Sequence, residues 1–185
     1  MKSIKMALLA STLILGMGIS AEAVSAPATT THTTDNTQTF QQGKLPNVPL
    51  KVGATFKQLE ALEPTAKKYI VARRYYEQQY FYEFGGKKQS IQSTDRIRII
   101  AQPDTNITPA QLTKALGQPV VKGTVLKRPV GNIHNRIYRA GNYYVLLGAM
   151  ESAEEKRIYY TLYIGKKSAI QQAAKTNYFW NVTLK

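Results

Sequence analysis

From Arg157 to Ile164 the chain alternates without interruption. Ile158, Tyr160, Leu162 and Ile164 fall on one side, and Tyr159, Thr161 and Tyr163 on the other. A period of two sends successive side chains to opposite faces of a strand, whereas a helix would scatter the same residues around its circumference. Upstream, Tyr143 to Leu147 is nearly all apolar, and the polar, acidic Met150 to Lys156 predicts a hairpin loop between these two strands. Arg96 to Ala101 alternates as well, with Ile97 and Ile99 set against Arg96 and Arg98. Gln79 to Phe84 places Tyr80, Tyr82 and Phe84 on one face before Gly85 and Gly86 break it. Tyr178 to Leu184 does the same with Tyr178, Trp180, Val182 and Leu184. These segments predict an antiparallel sheet.

Short helices are expected between the strands. Thr55-Phe56-Lys57-Gln58 is a capping box, in which Thr55 accepts from the backbone at Gln58 and Gln58 reaches back. Leu59 and Leu62 would form the apolar side of that helix. Thr108-Pro109-Ala110-Gln111 is a second box, with Pro109 at the first helical position and Ile107 and Leu112 at the two hydrophobic-staple positions. Leu112, Ala115 and Leu116 make its stripe, Gly117 its cap, and Pro119 lies just beyond. Ser168 to Lys175 reads as one more helix, capped by Ser168. Thr65 to Tyr76 fits either state, a helix capped by Thr65 or a strand through Lys68 to Tyr75, with a slight preference for helix.

The N-terminus carries an address. Lys2 and Lys5 precede an uncharged, mostly apolar run from Met6 to Ile19, and Ala21-Glu22-Ala23 supplies small residues for cleavage. This pattern predicts a secretory signal peptide over residues 1–23, with Val24-Ser25-Ala26 as the rival cleavage site. The run is short of the roughly 20 apolar residues that span a bilayer, so no membrane span is expected after cleavage. Residues 24–47 include seven threonines between Thr29 and Thr39 and read as a disordered spacer. Lys44 to Leu50 would be an extended lead-in shaped by its prolines. A basic α+β domain, compact and single, is expected over residues 48–185. The chain contains no cysteine, so that domain must be stabilised by its own core, without disulfides.

Charge is the strongest global signal. Lys2, Lys5 and Lys44 among 25 basic residues, and Glu22 and Asp35 among 11 acidic ones, precede Val48. The domain therefore holds 22 against 9, a net charge of +13. Such an excess concentrates polyanions at a protein surface. Basic residues also interleave with aromatics, as in Arg73-Arg74-Tyr75-Tyr76, Ile137-Tyr138-Arg139 and Arg157-Ile158-Tyr159-Tyr160. Tyrosine rings offer stacking surfaces, and arginines neutralise phosphate or carboxylate. The candidate binding residues are Arg73, Arg74, Tyr75, Tyr76, Arg96, Arg98, Arg139 and Arg157. The partner expected for them is an anionic cell-envelope polymer or a protein; no nucleic-acid motif is present.

Reactive groups are scarce. The two histidines are His32 in the spacer and His134 in an expected loop. A nucleophile elbow and metal-ligand spacing are both missing, so no cofactor or metal is expected. Glu77 and Glu83 are the one pair that could serve a carboxylate-based hydrolase, although two glutamates near Lys and Arg usually form ion pairs. The expectation is a non-catalytic protein. The Asn106-Ile107-Thr108 and Asn181-Val182-Thr183 sequons matter only in a eukaryotic host.

The order of elements recurs. Thr55, Gln58 and Leu59 match Thr108, Gln111 and Leu112 at a constant offset of 53 residues, giving possible repeats at 48–103 and 104–185. With Gly53-Ala54-Thr55-Phe56-Lys57-Gln58-Leu59 and with Ile107 to Pro119, ending in Leu116-Gly117-Gln118-Pro119, the chain resembles the β-lactamase-inhibitor-protein-like tandem repeat. That module is shared by an exported inhibitor and by small lipoproteins of outer-membrane assembly. The resemblance implies two repeats of short helix plus antiparallel sheet and a non-catalytic inhibitor or adaptor role. The inhibitor's disulfides and the lipoproteins' lipid-bearing cysteine have no counterpart here, so no partner or site residue carries over.

Overall fold

The computed structural model describes residues 33–129, 131–176 and 182–184. The expected signal peptide, residues 24–32 of the expected spacer, and Tyr178 and Trp180 lie outside the described residues. No helix among the described residues is long and apolar enough to cross a membrane.

Both capping boxes form. In α2 (Phe56–Leu62) the Gln58 N–H donates to Thr55 Oγ1 at 3.3 Å, and the Thr55 N–H donates to Gln58 Oε1 at 2.8 Å. In α3 (Pro109–Leu116) the corresponding distances at Thr108 and Gln111 are 3.3 and 2.8 Å. Each box gives two backbone donors at the helix start a side-chain acceptor, which matters for helices this short. Gly117 ends α3 at φ +81°, a backbone region that side chains disfavour, and its N–H donates to Thr113 O at 3.0 Å. Phe56 and Leu59 are the buried face of α2, whereas Leu62 is 58% exposed.

The sheet holds nine strands among the described residues, all paired antiparallel. They are β1 (Ile70–Val71), β2 (Arg74–Tyr76), β3 (Phe81–Phe84), β4 (Ile97–Gln102), β5 (Val121–Lys122), β6 (Leu126–Arg128), β7 (Gly131–Ala140), β8 (Tyr143–Ser152) and β9 (Ile158–Gly165). Their spatial order is β1-β2-β3-β4-β9-β8-β7-β5, with β6 also on β7. The strands that follow α2 and those that follow α3 meet at the β4–β9 pairing. The chain is α+β and sheet-dominated, with residues 32–185 forming one compact unit.

Alternation along the strands builds two cores. On one face Tyr82, Ile100, Leu162, Leu147 and Tyr138 pack with Phe40, Phe56 and Leu112 from the helices. Phe56 meets Phe84 edge-on at 5.5 Å. On the other face α4 (Lys167–Thr176) lays Ala169, Ile170 and Ala173 against Ile99, Ile137, Leu146 and Tyr163. Val182 and Leu184 join that second cluster.

Four expectations need correction. First, α1 (Thr33–Gln41) and the segment after it belong to the fold rather than to a disordered spacer, since Phe40 and Leu45 are both 1% exposed. Thr37 Oγ1 also donates to Ala115 O at 3.1 Å, tying α1 to α3. Second, residues 65–76 are not one helix. A 3-10 turn (Ala66–Tyr69) leads into the β1–β2 hairpin, where Tyr75 pairs with Tyr82 at a ring distance of 6.1 Å. Third, β8 runs to Ser152, because Met150 pairs with both Ile133 and Tyr159. The β8–β9 loop is correspondingly shorter. Fourth, α4 begins at Lys167, so Ser168 lies inside its first turn instead of capping it.

Candidate functional site

The arginines singled out in the sequence do not form one cationic face. Arg73 sits in the turn joining β1 and β2, where Ala72 and Arg73 both take positive φ, +48° and +63°. Two positive φ values match the twist of a tight hairpin, but they cost non-glycine residues free energy. The guanidinium offsets this by bonding the loop that follows β3. It donates to the carbonyls of Phe84 (3.4 Å), Ser90 (3.0 Å), Gly85 and Lys88, and to Asp95 Oδ2 at 2.7 Å. Arg73 is thus a staple with its donors already engaged.

The Asp95 carboxyl is held below the usual carboxylate range, first by the Gln92 N–H and then by Arg73. A depressed folded pKa favours the native state above the unfolded value of about 3.9, and that contribution fades as pH falls through the folded value. Asp95→Asn should therefore destabilise the domain by about 1–3 kcal/mol near neutrality. Its deficit against wild type should shrink on acidification below about pH 4. Denaturant titrations at the two pH values check both the size and the sign.

Arg74 and Arg98 are likewise engaged. Glu83, on β3, has a side chain only 8% exposed. Arg74 Nε donates to its Oε2 at 3.0 Å, and Arg98 Nε to its Oε1 at 2.6 Å. A register shift in the β3–β4 pairing, with Phe84 opposite Ile97 and Glu83 opposite Ile99, leaves Arg98 as the extra residue and lets it reach Glu83. Arg98 also donates to Gln172 of α4 at 2.8 Å. Glu77 instead accepts from the Tyr75 hydroxyl at 2.7 Å, and the Tyr75 ring lies in the core on the opposite face from Glu83. Glu77 and Glu83 are not brought together as a carboxylate pair.

Tyr75 is 2% exposed and is a packing residue, not a surface contact. Burial and the neighbouring Glu77 push its hydroxyl pKa up. Tyr76 is 43% exposed beside Phe81, at a ring distance of 5.4 Å. Arg96 donates to Gly53 O at 2.9 Å and Arg139 to Gly141 O at 3.3 Å. Arg157 lies over the Tyr159 ring at 5.0 Å. Arg139 pairs with Tyr144, which pairs with Gly165. Arg157 precedes the other end of the same strand, about 26 Å away at 3.3 Å per residue.

A basic row does exist elsewhere. Lys122 of β5 stands directly opposite Arg136 of β7, and Lys127 of β6 opposite Asn132. Alternation along β7 puts Asn132, His134 and Arg136 on one face, so Lys127, His134, Arg136 and Lys122 form a row about 14 Å long. Like charges directly opposite each other repel. No salt bridge among the described residues engages Lys122, Lys127 or Arg136. The neighbouring acid is Glu151, whose Oε2 is 4.0 Å from His134 Nε2 and accepts from Asn132 Nδ2 at 3.4 Å. His134 is on a strand, not in a loop.

The opposite face of β7, β8 and β9 is concave where α4 does not cover it, enclosing about 820 Å3. The register aligns Asn135, Gly148 and Thr161 across the three strands as the floor. Ile133, Met150 and Tyr159 form the adjoining row, and Tyr163 bounds the other side. Gly148 leaves room for the Asn135 side chain, since a Cβ there would stand 3.3 Å from Asn135 Oδ1. Asp104, Glu154 and Glu155 rim it. Neither this groove nor the basic row was singled out in the sequence. The available signals were a glycine inside an apolar strand, which often marks close approach of another group, and the like-charged pair, visible only once register is known. Among the described residues no three His, Cys, Asp or Glu side chains group as metal ligands.

No family model matches the chain, and no curated protein matches it. Its shape is similar to a solved structure, that of a DUF4309 family protein (YjgB) from Bacillus subtilis. The two share 15% identity at a TM-score of 0.49, over 73% of this chain and 95% of the other.

Proposed function

We propose that this is an exported, non-catalytic binding protein of the bacterial cell envelope, held noncovalently at an anionic envelope polymer. The observation that carries this reading is the row formed by Lys122, Arg136, His134 and Lys127. It replaces the arginine set expected from sequence, of which Arg73, Arg74 and Arg98 are spent on Asp95 and Glu83. Two cations placed face to face lower stability unless something anionic binds between them. A polymer carrying a negative charge on each repeat fits a linear row, and the domain's net charge of +13 adds long-range attraction. The N-terminal pattern of residues 1–23 supports export.

The test separates affinity from stability. Lys122→Glu turns a repulsive pair into an attractive one and should raise stability by about 0.2–1 kcal/mol. The same change should weaken binding to purified anionic wall polymer on the order of tenfold at low salt, and wild-type binding should fall steeply as salt rises. Unchanged binding by the variant, or salt-independent retention of the wild type, would defeat the proposal. A second reading, a protein inhibitor or adaptor, rests on the repeated order of capped helix and antiparallel strands meeting at β4–β9. One stoichiometric protein captured in place of polymer would favour it.

A further inference from the structure

Two of the arginines singled out in the sequence meet lysines that were not. Arg139 lies near the end of β7 opposite Tyr144, which pairs in turn with Gly165 at the end of β9. Gly165 pairs with Ile99, near the start of β4. Lys166 and Lys167 follow Gly165 directly, and Arg96 precedes β4. The segment before α2 closes the same end of the sheet. Gly43 lies against the Tyr143 ring, which an added Cβ would meet at 2.6 Å, and its carbonyl accepts from the Val52 N–H at 2.9 Å. The Gly53 N–H then donates to Ile97 O at 2.8 Å. Lys44 and Lys51 flank these contacts. Register therefore gathers Lys44, Lys51, Arg96, Arg139, Lys166 and Lys167 at one end of four adjacent strands, a width of about 14 Å.

These cations are left without acidic partners. All but the half-buried Lys44 are exposed. No salt bridge among the described residues engages any of them. Asp95, beside Arg96 in the chain, is taken by Arg73, and α4 has no acid in its first turn. Arg96 and Arg139 are anchored on the carbonyls of Gly53 and Gly141, which holds each guanidinium in place with donors to spare. Asp104, Glu154 and Glu155 stand at the other end of the sheet, past β4 and in the β8–β9 loop. Charge is thus segregated along the strands, and a polyanion is drawn to the basic end.

This end also continues the basic row. Arg136 and Arg139 are three residues apart on β7, about 10 Å, and alternation places them on opposite faces. A polymer leaving the row at Arg136 reaches the other cations by crossing the end of the sheet. Two contacts on one chain reinforce each other, because the second forms at the high local concentration set by the first.

We infer that the anionic polymer bound at the basic row continues onto this end of the sheet, so that one chain is held over about 40 Å. The inference rests on the polymer-binding reading and adds a second contact surface to it. Calorimetric titration of the full mature chain tests it, with linear polyphosphate of graded length and purified anionic wall polymer as probes. Affinity should climb with polyphosphate length until the chain spans about 40 Å, then level off. Lys166→Glu combined with Lys167→Glu should weaken binding of the long chains about tenfold or more at low salt, and should make the fall with salt shallower. The climb with length should then stop near the 14 Å or so of the row. Acidic residues suit the first turn of a helix, so this variant should fold as well as wild type. Unchanged affinity and length dependence in the double variant, with Lys122→Glu still weakening binding, overturns the inference and leaves the row standing. Absent or salt-independent binding of the wild type to every chain defeats the polymer reading itself, and the inference with it. Binding to vesicles of anionic phospholipid in place of both polymers also overturns it, and assigns this end to a membrane surface.

Discussion

Glu83→Ala is expected to lower the unfolding free energy by about 3 kcal/mol, the lower end of the range for breaking a buried ion pair. The carboxylate is 8% exposed and lies between two guanidinium groups, one from each neighbouring strand. Removing it leaves Arg74 and Arg98 without their acceptor, but these side chains are 45% and 33% exposed and turn partly to water. The reverse deletion is harsher. Arg74→Met together with Arg98→Met strands a buried carboxylate and should cost about 5 kcal/mol. This ordering, with loss of the cations worse than loss of the anion, follows from burial and not from the number of bonds. Urea denaturation of the three proteins measures it, and a cost below about 1 kcal/mol in every case would mark the cluster as an ordinary surface pair. Salt should change the result little, since a partly buried pair is poorly screened.

Phe40→Ala is expected to cost about 3–5 kcal/mol, as for other buried aromatic truncations. This outcome distinguishes a structural α1 from a spacer, in which the substitution would be silent. Phe40 is 1% exposed and belongs to the same core as Phe56, Tyr82 and Leu112. A chain starting at residue 48 should be destabilised further, because Leu45 is lost with it. Chemical denaturation of the variant and of the truncated chain provides the check. A silent Phe40→Ala would return the segment to the status of a tether.

Elements whose stabilising interactions are local were legible from the order of residues alone. Thr55 with Gln58, and Thr108 with Gln111, sit three residues apart, so their mutual hydrogen bonds are readable without the rest of the chain. The alternation of Ile158 to Ile164 set the strand and both of its faces, because a period of two is a property of the backbone. Antiparallel pairing and the α+β class follow from such segments. α1 was not legible, because Thr33 to Gln41 has no apolar stripe and is held by one aromatic residue and by α3. Residues 65–76 were ambiguous for a related reason, since their hairpin depends on pairing with β3 and on the Arg73 staple.

The sites were decided entirely by tertiary structure. Arginine composition gave a candidate face, but acidic partners 9 to 22 residues away engaged three of its members. The basic row needs the β5–β7 register to bring Lys122 to Arg136, and the groove needs β7, β8 and β9 in line to bring Asn135, Gly148 and Thr161 together. Register links residues far apart in the chain, and no local preference encodes it. Net charge is additive and can be counted from the sequence, but which charges remain unpaired depends on which strands become neighbours.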